Sequence, residues 1–185
     1  MTHLTRYYMY ERIRESLPKL DGNILGISGI DNFKPLICQD ANVIDSQYPD
    51  IDFHNLPFND NIFDYVISDQ VLEHLVDPQQ AINESFRVLK KGGYAIHTSC
   101  FINYIHHCPQ DYWRFTPEGL KYLCRDFSKI CLCGGWGNRI AIILCFISDK
   151  LRFMPIPDNS YSLRNIIASN NEVNYPIVTW IVAMK

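Results

Sequence analysis

Residues 63–99 limit the fold of this 185-residue chain more than any other stretch. Residues 63–68 form an apolar segment without alternation, typical of a strand that is covered on both faces. Asp77 and Pro78 then supply the cap and first residue of a helix predicted to reach Lys91, which Gly92 and Gly93 end. Residues 94–99 resume a strand. This order predicts a right-handed βαβ unit, whose ligand crevice lies beyond the carboxyl ends of its strands.

Further elements are predicted on both sides of this unit. They are a helix over 1–20, strands over 23–29 and 41–45, a helix after Thr116-Pro117, a strand over 128–133, a helix from Asn138 to about Lys150, and a last strand over 177–184. No repeat or linker divides them, so we expect one domain over 1–185. The pattern predicts an α/β three-layer sandwich around a mostly parallel sheet.

Composition excludes several classes of function. The net charge of −3 gives no basic surface for nucleic acid. The longest apolar run, residues 140–147, is too short to cross a membrane, and residues 1–20 lack the pattern of a secretory signal. The seven cysteines include no CxxC pair, which favours reduced thiols. We therefore expect a cytoplasmic protein.

A longer motif points to a family. The segment LPFNDNIFDYVISDQVLEHLVDP over residues 56–78, followed by RVLKKGG over 87–93, resembles the class I S-adenosylmethionine-dependent methyltransferases, specifically the small type 11 methyltransferase-domain family. The resemblance spans about residues 22–127. It implies a Rossmann-like, mostly parallel sheet of seven strands with an antiparallel last strand. Residues 45–52 leave no room for a crossover helix, so we expect a trimmed version of that fold.

The resemblance also implies a site for S-adenosylmethionine. The family's glycine-rich turn corresponds to residues 25–33, where Ser28, Ile30 and Asn32 stand at the glycine positions and Gly26 at the acidic position. An acidic residue after the second strand would accept hydrogen bonds from the ribose. By this resemblance the expected cofactor-binding residues are Gly26, Ser28, Gly29, Asp45, Asp52, Phe53, Ser68 and Asp69.

The segment of residues 101–115 connects a strand end to a capped helix and is rich in aromatic residues and histidine. Long loops within compact domains tend to be functional. We expect His107 or Asp111 to accept a proton and Tyr112, Trp113 and Arg114 to bind the acceptor. The alternative is an aromatic lid that only packs over the sheet edge.

Other polar residues allow two further hypotheses. Glu73 and His74 form an acid–base pair or orient a loop through hydrogen bonds. Zinc is suggested by His97, Cys100, His106, His107 and Cys108, but their spacing lacks a second ligand pair, so we predict no metal.

The sequence therefore predicts a methyltransferase that uses S-adenosylmethionine and acts on a small or polar acceptor, such as a sugar or another metabolite. The degenerate glycine turn keeps a second hypothesis open, a methyltransferase-like scaffold that has lost the cofactor. An oxidoreductase is less favoured, because no GxGxxG follows the first strand. Apolar residues at helical spacing over 140–153 predict a homo-oligomer.

Overall fold

The computed structural model describes residues 3–107 and 109–185, and a six-stranded sheet lies at its centre. The strands are β1 (Asn23–Ile27), β2 (Asn42–Ser46), β3 (Phe63–Asp69), β4 (Leu89–Cys100), β5 (Lys129–Trp136) and β6 (Val178–Met184). Their order across the sheet is β2-β1-β3-β4-β6-β5. Only β6 is antiparallel to its neighbours, β4 and β5. The predicted mostly parallel sheet with an antiparallel last strand is confirmed.

Helices cover both faces of this sheet. They are α1 (Tyr7–Ser16), α2 (Pro78–Val88), α3 (Pro117–Leu123), α4 (Arg139–Ile147), α5 (Asp149–Arg152) and α6 (Leu163–Ser169). Alternate residues of the strands enter different cores, because neighbouring side chains on a strand point to opposite faces. Ile24 packs in the core with α1 and α4, whereas Leu25 packs in the core with α2 and α3. The three-layer α/β sandwich is therefore confirmed.

Three predicted helix caps are present. The side chain of Asp77 accepts a hydrogen bond from the backbone N–H of Gln80 at 3.0 Å, and Thr116 accepts one from Gly119 at 3.0 Å. Asn138 accepts one from Ala141 at 2.8 Å. Each cap satisfies a backbone donor that the first turn of a helix leaves free.

Several predicted boundaries were wrong. Helix α2 ends at Val88 instead of Lys91, because Leu89 already pairs with β3 and Lys90 forms an ion pair with Asp64. Helix α1 ends at Ser16, and Leu17 is extended before Pro18, a conformation that proline favours in the residue before it. The first two residues of the predicted 1–20 helix lie outside the described residues.

The predicted helix from Asn138 to Lys150 is two helices. Ser148 has extended backbone between α4 and α5, and its hydroxyl accepts a hydrogen bond from the backbone N–H of Lys150. Helix α6 was not predicted; Ser162 caps it.

The fold is trimmed between β2 and β3, as expected. Residues 47–62 contain neither a helix nor a strand, and the described sheet has six strands where the resemblance implies seven. None of the described helices has the length and apolar character that crossing a membrane requires.

Candidate functional site

A cleft of about 1080 Å³ lies beyond the carboxyl ends of β1, β2 and β3. This is the edge at which α/β sheets with parallel strands bind their ligands. The lining residues come from positions 27–28, 47–54, 69–80 and 109–112. Of the residues predicted to bind cofactor or acceptor, those that line it are Ser28, Asp52, Phe53, Asp69 and Tyr112.

The turn after β1, beside the cleft, has positive φ angles at two consecutive residues. Ser28 and Gly29 have φ angles of 59° and 103°, both in the left-handed region. The backbone N–H of Ser28 donates to the carbonyl of Ser46 at 2.7 Å, which ties this turn to the end of β2. A non-glycine residue with positive φ is strained, and such strain tends to occur at functional sites.

Ile30 occupies a family glycine position, yet its side chain does not enter the cleft. It is 2% exposed and packs in the α1 core, over Gly26. A Cβ built on Gly26 would lie 2.3 Å from Cγ2 of Ile30. Gly26 is therefore a glycine because Ile30 takes its side-chain space, and the departure from the glycine pattern leaves the cleft open.

Asp45 lies next to this turn, on the edge strand. It pairs in register with Gly26, and a Cβ on Gly26 would come within 3.1 Å of its Oδ1. The carboxylate is exposed, and Gln47 donates to it at 3.4 Å. Asp45 is thus a solvent-facing acceptor beside the cleft.

Asp52, Phe53 and His54 form one wall of the cleft. The backbone N–H of His54 donates to Asp52 Oδ1 at 2.9 Å, and His54 Nδ1 lies 2.7 Å from the same oxygen. These contacts hold the pKa of Asp52 below its usual value. Phe53 is buried beside them and lends the wall an apolar surface.

Asp69 ends β3, and its carboxylate accepts three side-chain hydrogen bonds. Its Oδ2 accepts from the Tyr10 hydroxyl at 2.6 Å and from the Asn32 amide at 2.9 Å, while Oδ1 accepts from Thr98 at 2.6 Å. Burial, with the negative charge of Asp69, raises the pKa of Tyr10. The network joins α1 to the sheet, and nothing in the sequence pattern linked Tyr10 to this site.

The neighbouring Ser68 does not line the cleft. Its side chain is fully buried, and its hydroxyl lies 2.7 Å from Nδ1 of His97. Burial lowers the pKa of His97 to about 3, so its ring is neutral. The prediction that His97 is a core residue agrees with this placement.

His74 lines the cleft with a defined tautomer. Its Nδ1 contacts the carbonyl of Gln110. A carbonyl only accepts hydrogen bonds, so Nδ1 carries the proton and Nε2 of the neutral ring carries the lone pair. The Glu73-His74 pair was noted in the sequence, and His74 does orient the loop as that hypothesis proposed.

The described part of the 101–115 loop contributes to the cleft through Pro109, Gln110 and Tyr112, which line it. It is fastened by backbone N–H groups of Tyr112 and Trp113, which donate to the carbonyl of Glu73 at 2.8 and 3.2 Å. The Trp113 indole N–H donates to the Leu75 carbonyl at 2.8 Å. The loop is therefore fixed to the segment that follows β3.

Asp111 holds the loop together from inside. Its side chain is 1% exposed, and it pairs with Arg114 and accepts from the backbone N–H of His106 at 2.7 Å. The Arg114 pairing holds the pKa of Asp111 well below its usual range. Asp111, Arg114 and Trp113 do not line the cleft, and His107 is exposed outside it. Cys108, one of the zinc candidates, lies outside the described residues.

The cleft fits a cofactor the size of S-adenosylmethionine. Its volume lies slightly above the range typical for small-molecule sites. A Cβ on Gly29 would meet no atom within 4 Å, so a ligand has room to approach the backbone of this turn. Carboxylates at Asp45 and Asp52 and the apolar Phe53 supply the acceptors and apolar surface that a nucleoside needs.

Comparisons with known proteins agree with this geometry. The model of the methyltransferase domain family matches residues 13–97. A ubiquinone/menaquinone biosynthesis C-methyltransferase, UbiE, of Campylobacter jejuni is 33% identical over 90 residues, which cover 46% of this chain and 37% of that protein. The chain thus spans little more than a third of the length of this curated relative.

Solved structures share the fold. A SAM-dependent methyltransferase from Thermotoga maritima has a TM-score of 0.60 at 16% identity, covering 98% of this chain and 90% of its own. A Haemonchus contortus phosphoethanolamine N-methyltransferase 2, in complex with S-adenosyl-L-methionine, has a TM-score of 0.59 at 18% identity, covering 97% of this chain and 52% of its own.

Proposed function

We propose that the chain is a class I S-adenosylmethionine-dependent methyltransferase and that it methylates a small or polar acceptor bound in the cleft beyond β1, β2 and β3. The observation that carries this proposal is the open cleft at the carboxyl edge of the sheet, next to the strained Ser28-Gly29 turn. The cleft falls in large part within the stretch matched by the methyltransferase-domain model.

The residues beside the cleft have complementary roles toward the cofactor. Asp45 would accept hydrogen bonds from the ribose, and Asp52 with Phe53 would hold the adenine. The backbone of Ser28 and Gly29, with Asp69, would line the methionine end. When bound, S-adenosylmethionine supplies an electrophilic methyl group.

His74 is the proton acceptor that we propose. Its lone pair is fixed on Nε2 by the Gln110 carbonyl, and the side chain lines the cleft. His107 and Asp111 were predicted for this role from the sequence. Asp111 is engaged by Arg114 and His106, and a carboxylate with so low a pKa is a weak base. Tyr112 would contact the acceptor, while Trp113 and Arg114 fix the loop.

The first test is cofactor binding. Titration calorimetry and thermal shift with S-adenosylmethionine and its demethylated product should both give a signal, with about 2.7 kcal/mol of stabilisation when the ligand is at 100 times its Kd. Asp45→Ala should weaken binding. Asp40→Ala, an exposed acidic residue in the turn before β2, is the matched control and should bind as the wild type. If millimolar cofactor gave neither heat nor a thermal shift, the methyltransferase proposal would be wrong and the scaffold hypothesis would be favoured.

The second test is turnover. Methyl-labelled cofactor would be offered with amines, hydroxyl compounds and hydroquinones, the last because a relative is named for quinone biosynthesis. With an accepted substrate, His74→Asn should lower turnover about 100-fold while cofactor affinity stays the same. His107→Asn serves as the matched control. If His107→Asn or Asp111→Asn lowered turnover and His74→Asn did not, the assignment of the base would be wrong.

The cysteine residues support a location in a reducing compartment. The cysteines at 38, 100, 124, 131, 133 and 145 are all free thiols in the structure. Disulfides are rare where thiols are kept reduced, and we propose the cytoplasm as the site of action.

A further inference from the structure

Glu73 carries a buried carboxylate that the proposed methyl transfer does not use. The residue is fully buried in the 3₁₀ turn Leu72–His74, and its Oε2 accepts a hydrogen bond from Ser99 at 2.8 Å. Its Oε1 has no hydrogen-bond partner among the described residues. A buried polar atom without a partner costs a large part of its hydration free energy, so its presence points to a ligand.

Two further side chains approach this carboxylate. One oxygen of Glu73, the thiol sulfur of Cys100 at the end of β4, and a ring nitrogen of His106 in the loop all lie within 4.8 Å of one another. Cys100 is buried and His106 is half-buried. Oxygen, sulfur and nitrogen donors on three different segments are the combination that zinc binds in proteins.

We propose that Glu73, Cys100 and His106 bind a divalent ion of the zinc type. Metal binding would release the protons of the two ligands, and the resulting carboxylate and thiolate would together balance the two positive charges of the ion. The nearby guanidinium of Arg114 already pairs with Asp111, and that of Arg6 lies 3.9 Å from Asp69.

Asp111 supplies the outer support that such a site needs. Its Oδ2 accepts from the backbone N–H of His106 at 2.7 Å and lies 3.1 Å from Nδ1 of the His106 ring. Carboxylates that orient a metal-binding histidine in this way are common around zinc. The buried Asp111–Arg114 pair therefore fixes the His106 ligand.

The ion would face a second, smaller cavity. A chamber of about 130 Å³ is lined by Cys100, Asn103 and His106, and Gln70 lines both this chamber and the cleft. Zinc with three protein ligands keeps a further position for water or substrate. That position would open toward the chamber and orient an acceptor heteroatom. The role toward the acceptor rests on the proposed function, whereas the metal site itself does not.

The sequence contained only part of this set. Cys100 and His106 were among the zinc candidates with His97, His107 and Cys108, but the spacing of these five residues led to the prediction of no metal, and Glu73 was not considered. Glu73 comes from the turn after β3, and only the parallel pairing of β3 with β4 brings it to Cys100.

Metal binding by the full chain tests this proposal. After treatment with a chelator, the protein would be titrated with Co²⁺, and a thiolate-to-cobalt absorption band should appear that Zn²⁺ removes at equimolar amount. Mass spectrometry of the zinc-loaded, desalted protein should give one zinc per chain. Cys100→Ala and Glu73→Gln should each weaken zinc binding at least ~10-fold. Cys124→Ala, which removes another buried thiol, is the matched control and should keep both signals.

Two results would overturn the site. One is the absence of a thiolate band in the wild-type chain, which needs no variant and so does not depend on how a variant folds. The other is an equal loss of zinc in Cys124→Ala and Cys100→Ala. Binding of S-adenosylmethionine is measured separately by calorimetry. Failure of the metal proposal can therefore be distinguished from failure of the proposed function.

Discussion

Burial of His97 makes the stability of the folded chain depend on pH. Its surroundings lower the pKa of the ring from 6.5 to about 3 because desolvation disfavours the charged form. The unfolded chain therefore takes up this proton first, as pH falls below 6.5. The contribution of His97 to the free energy of unfolding is complete above pH 6.5. It falls by about 1.4 kcal/mol per pH unit down to about pH 3.

Urea unfolding at a series of pH values measures this slope. His97→Gln should flatten it, because an amide does not titrate, and the readout is the slope and not the absolute stability. The pKa of His3 is lowered to about 4, so His3 adds its own slope and remains in both proteins. The exposed His107 is the control, and His107→Gln should leave the slope unchanged. An unchanged slope in His97→Gln would contradict the prediction.

Single residues also show what the sequence could predict of the site. Asp45 lies near the end of β2, as predicted, because strand ends follow from local pattern, and Asp52 lies in the segment after β2, where it lines the cleft. The loop residues differ, since Asp111 is buried by Arg114 and His106, and its burial depends on how the whole loop folds back. The role of Tyr10 at Asp69 depends on packing between distant parts of the chain, which no local pattern contains.

At the scale of elements, the packing of Gly26 on β1 against Ile30 in the turn after it can be tested by substitution. Gly26→Ala would place a methyl group 2.3 Å from Cγ2 of Ile30. Overpacking of this kind costs about 1–3 kcal/mol, which chemical denaturation would measure. Gly26→Ala combined with Ile30→Ala should recover part of the loss and show a coupling of about 0.5–3 kcal/mol.

Gly119 provides the control for that experiment. It lies in α3, and the closest atom to its built Cβ is Thr116 Oγ1 at 3.5 Å. Gly119→Ala should therefore be neutral or stabilise the chain by up to about 1 kcal/mol. Strictly additive effects of the Gly26 and Ile30 substitutions would show that the two side-chain positions do not interact.

Helix starts were predicted well where a local cap marks them, whereas the start of β4 at Leu89 and both ends of α1 were not. Caps at Asp77, Thr116 and Asn138 are local signals, and all three begin helices. The end of α2 is set by pairing of β4 with β3, and a Cβ on Gly93 would lie 2.9 Å from the Asp64 carbonyl of that neighbouring strand. Gly92 and Gly93 thus belong to β4, although a glycine pair after a predicted helix is typical of a helix end.

For the whole molecule, the apolar face of α4 and α5 predicts self-association. Ile140, Ile143, Ile147 and Phe153 are each more than half exposed. An apolar patch of neighbouring side chains usually marks an interface, and we expect a homo-oligomer through residues 140–153.

Light scattering over a wide concentration range tests this prediction. The wild-type chain should have more than the monomer mass, and Ile143→Glu should return it to monomer by placing a charge in the interface. Tyr122→Glu on α3 is the control, because Tyr122 is exposed on the other side of the sheet. A monomer at every wild-type concentration would disprove the interface.

The segment 47–62 has a consequence for how this scaffold can change. It forms one wall of the cleft without secondary structure, and side chains of α2 fasten it: Glu84 accepts from the backbone N–H of Leu56 at 2.8 Å, and Arg87 donates to the Leu56 carbonyl at 2.9 Å. Insertions or substitutions between these anchors and β2 would reshape the wall and leave the strand register intact. The shape of the cleft can therefore change between related sequences while the residues that set the strand pairing stay the same.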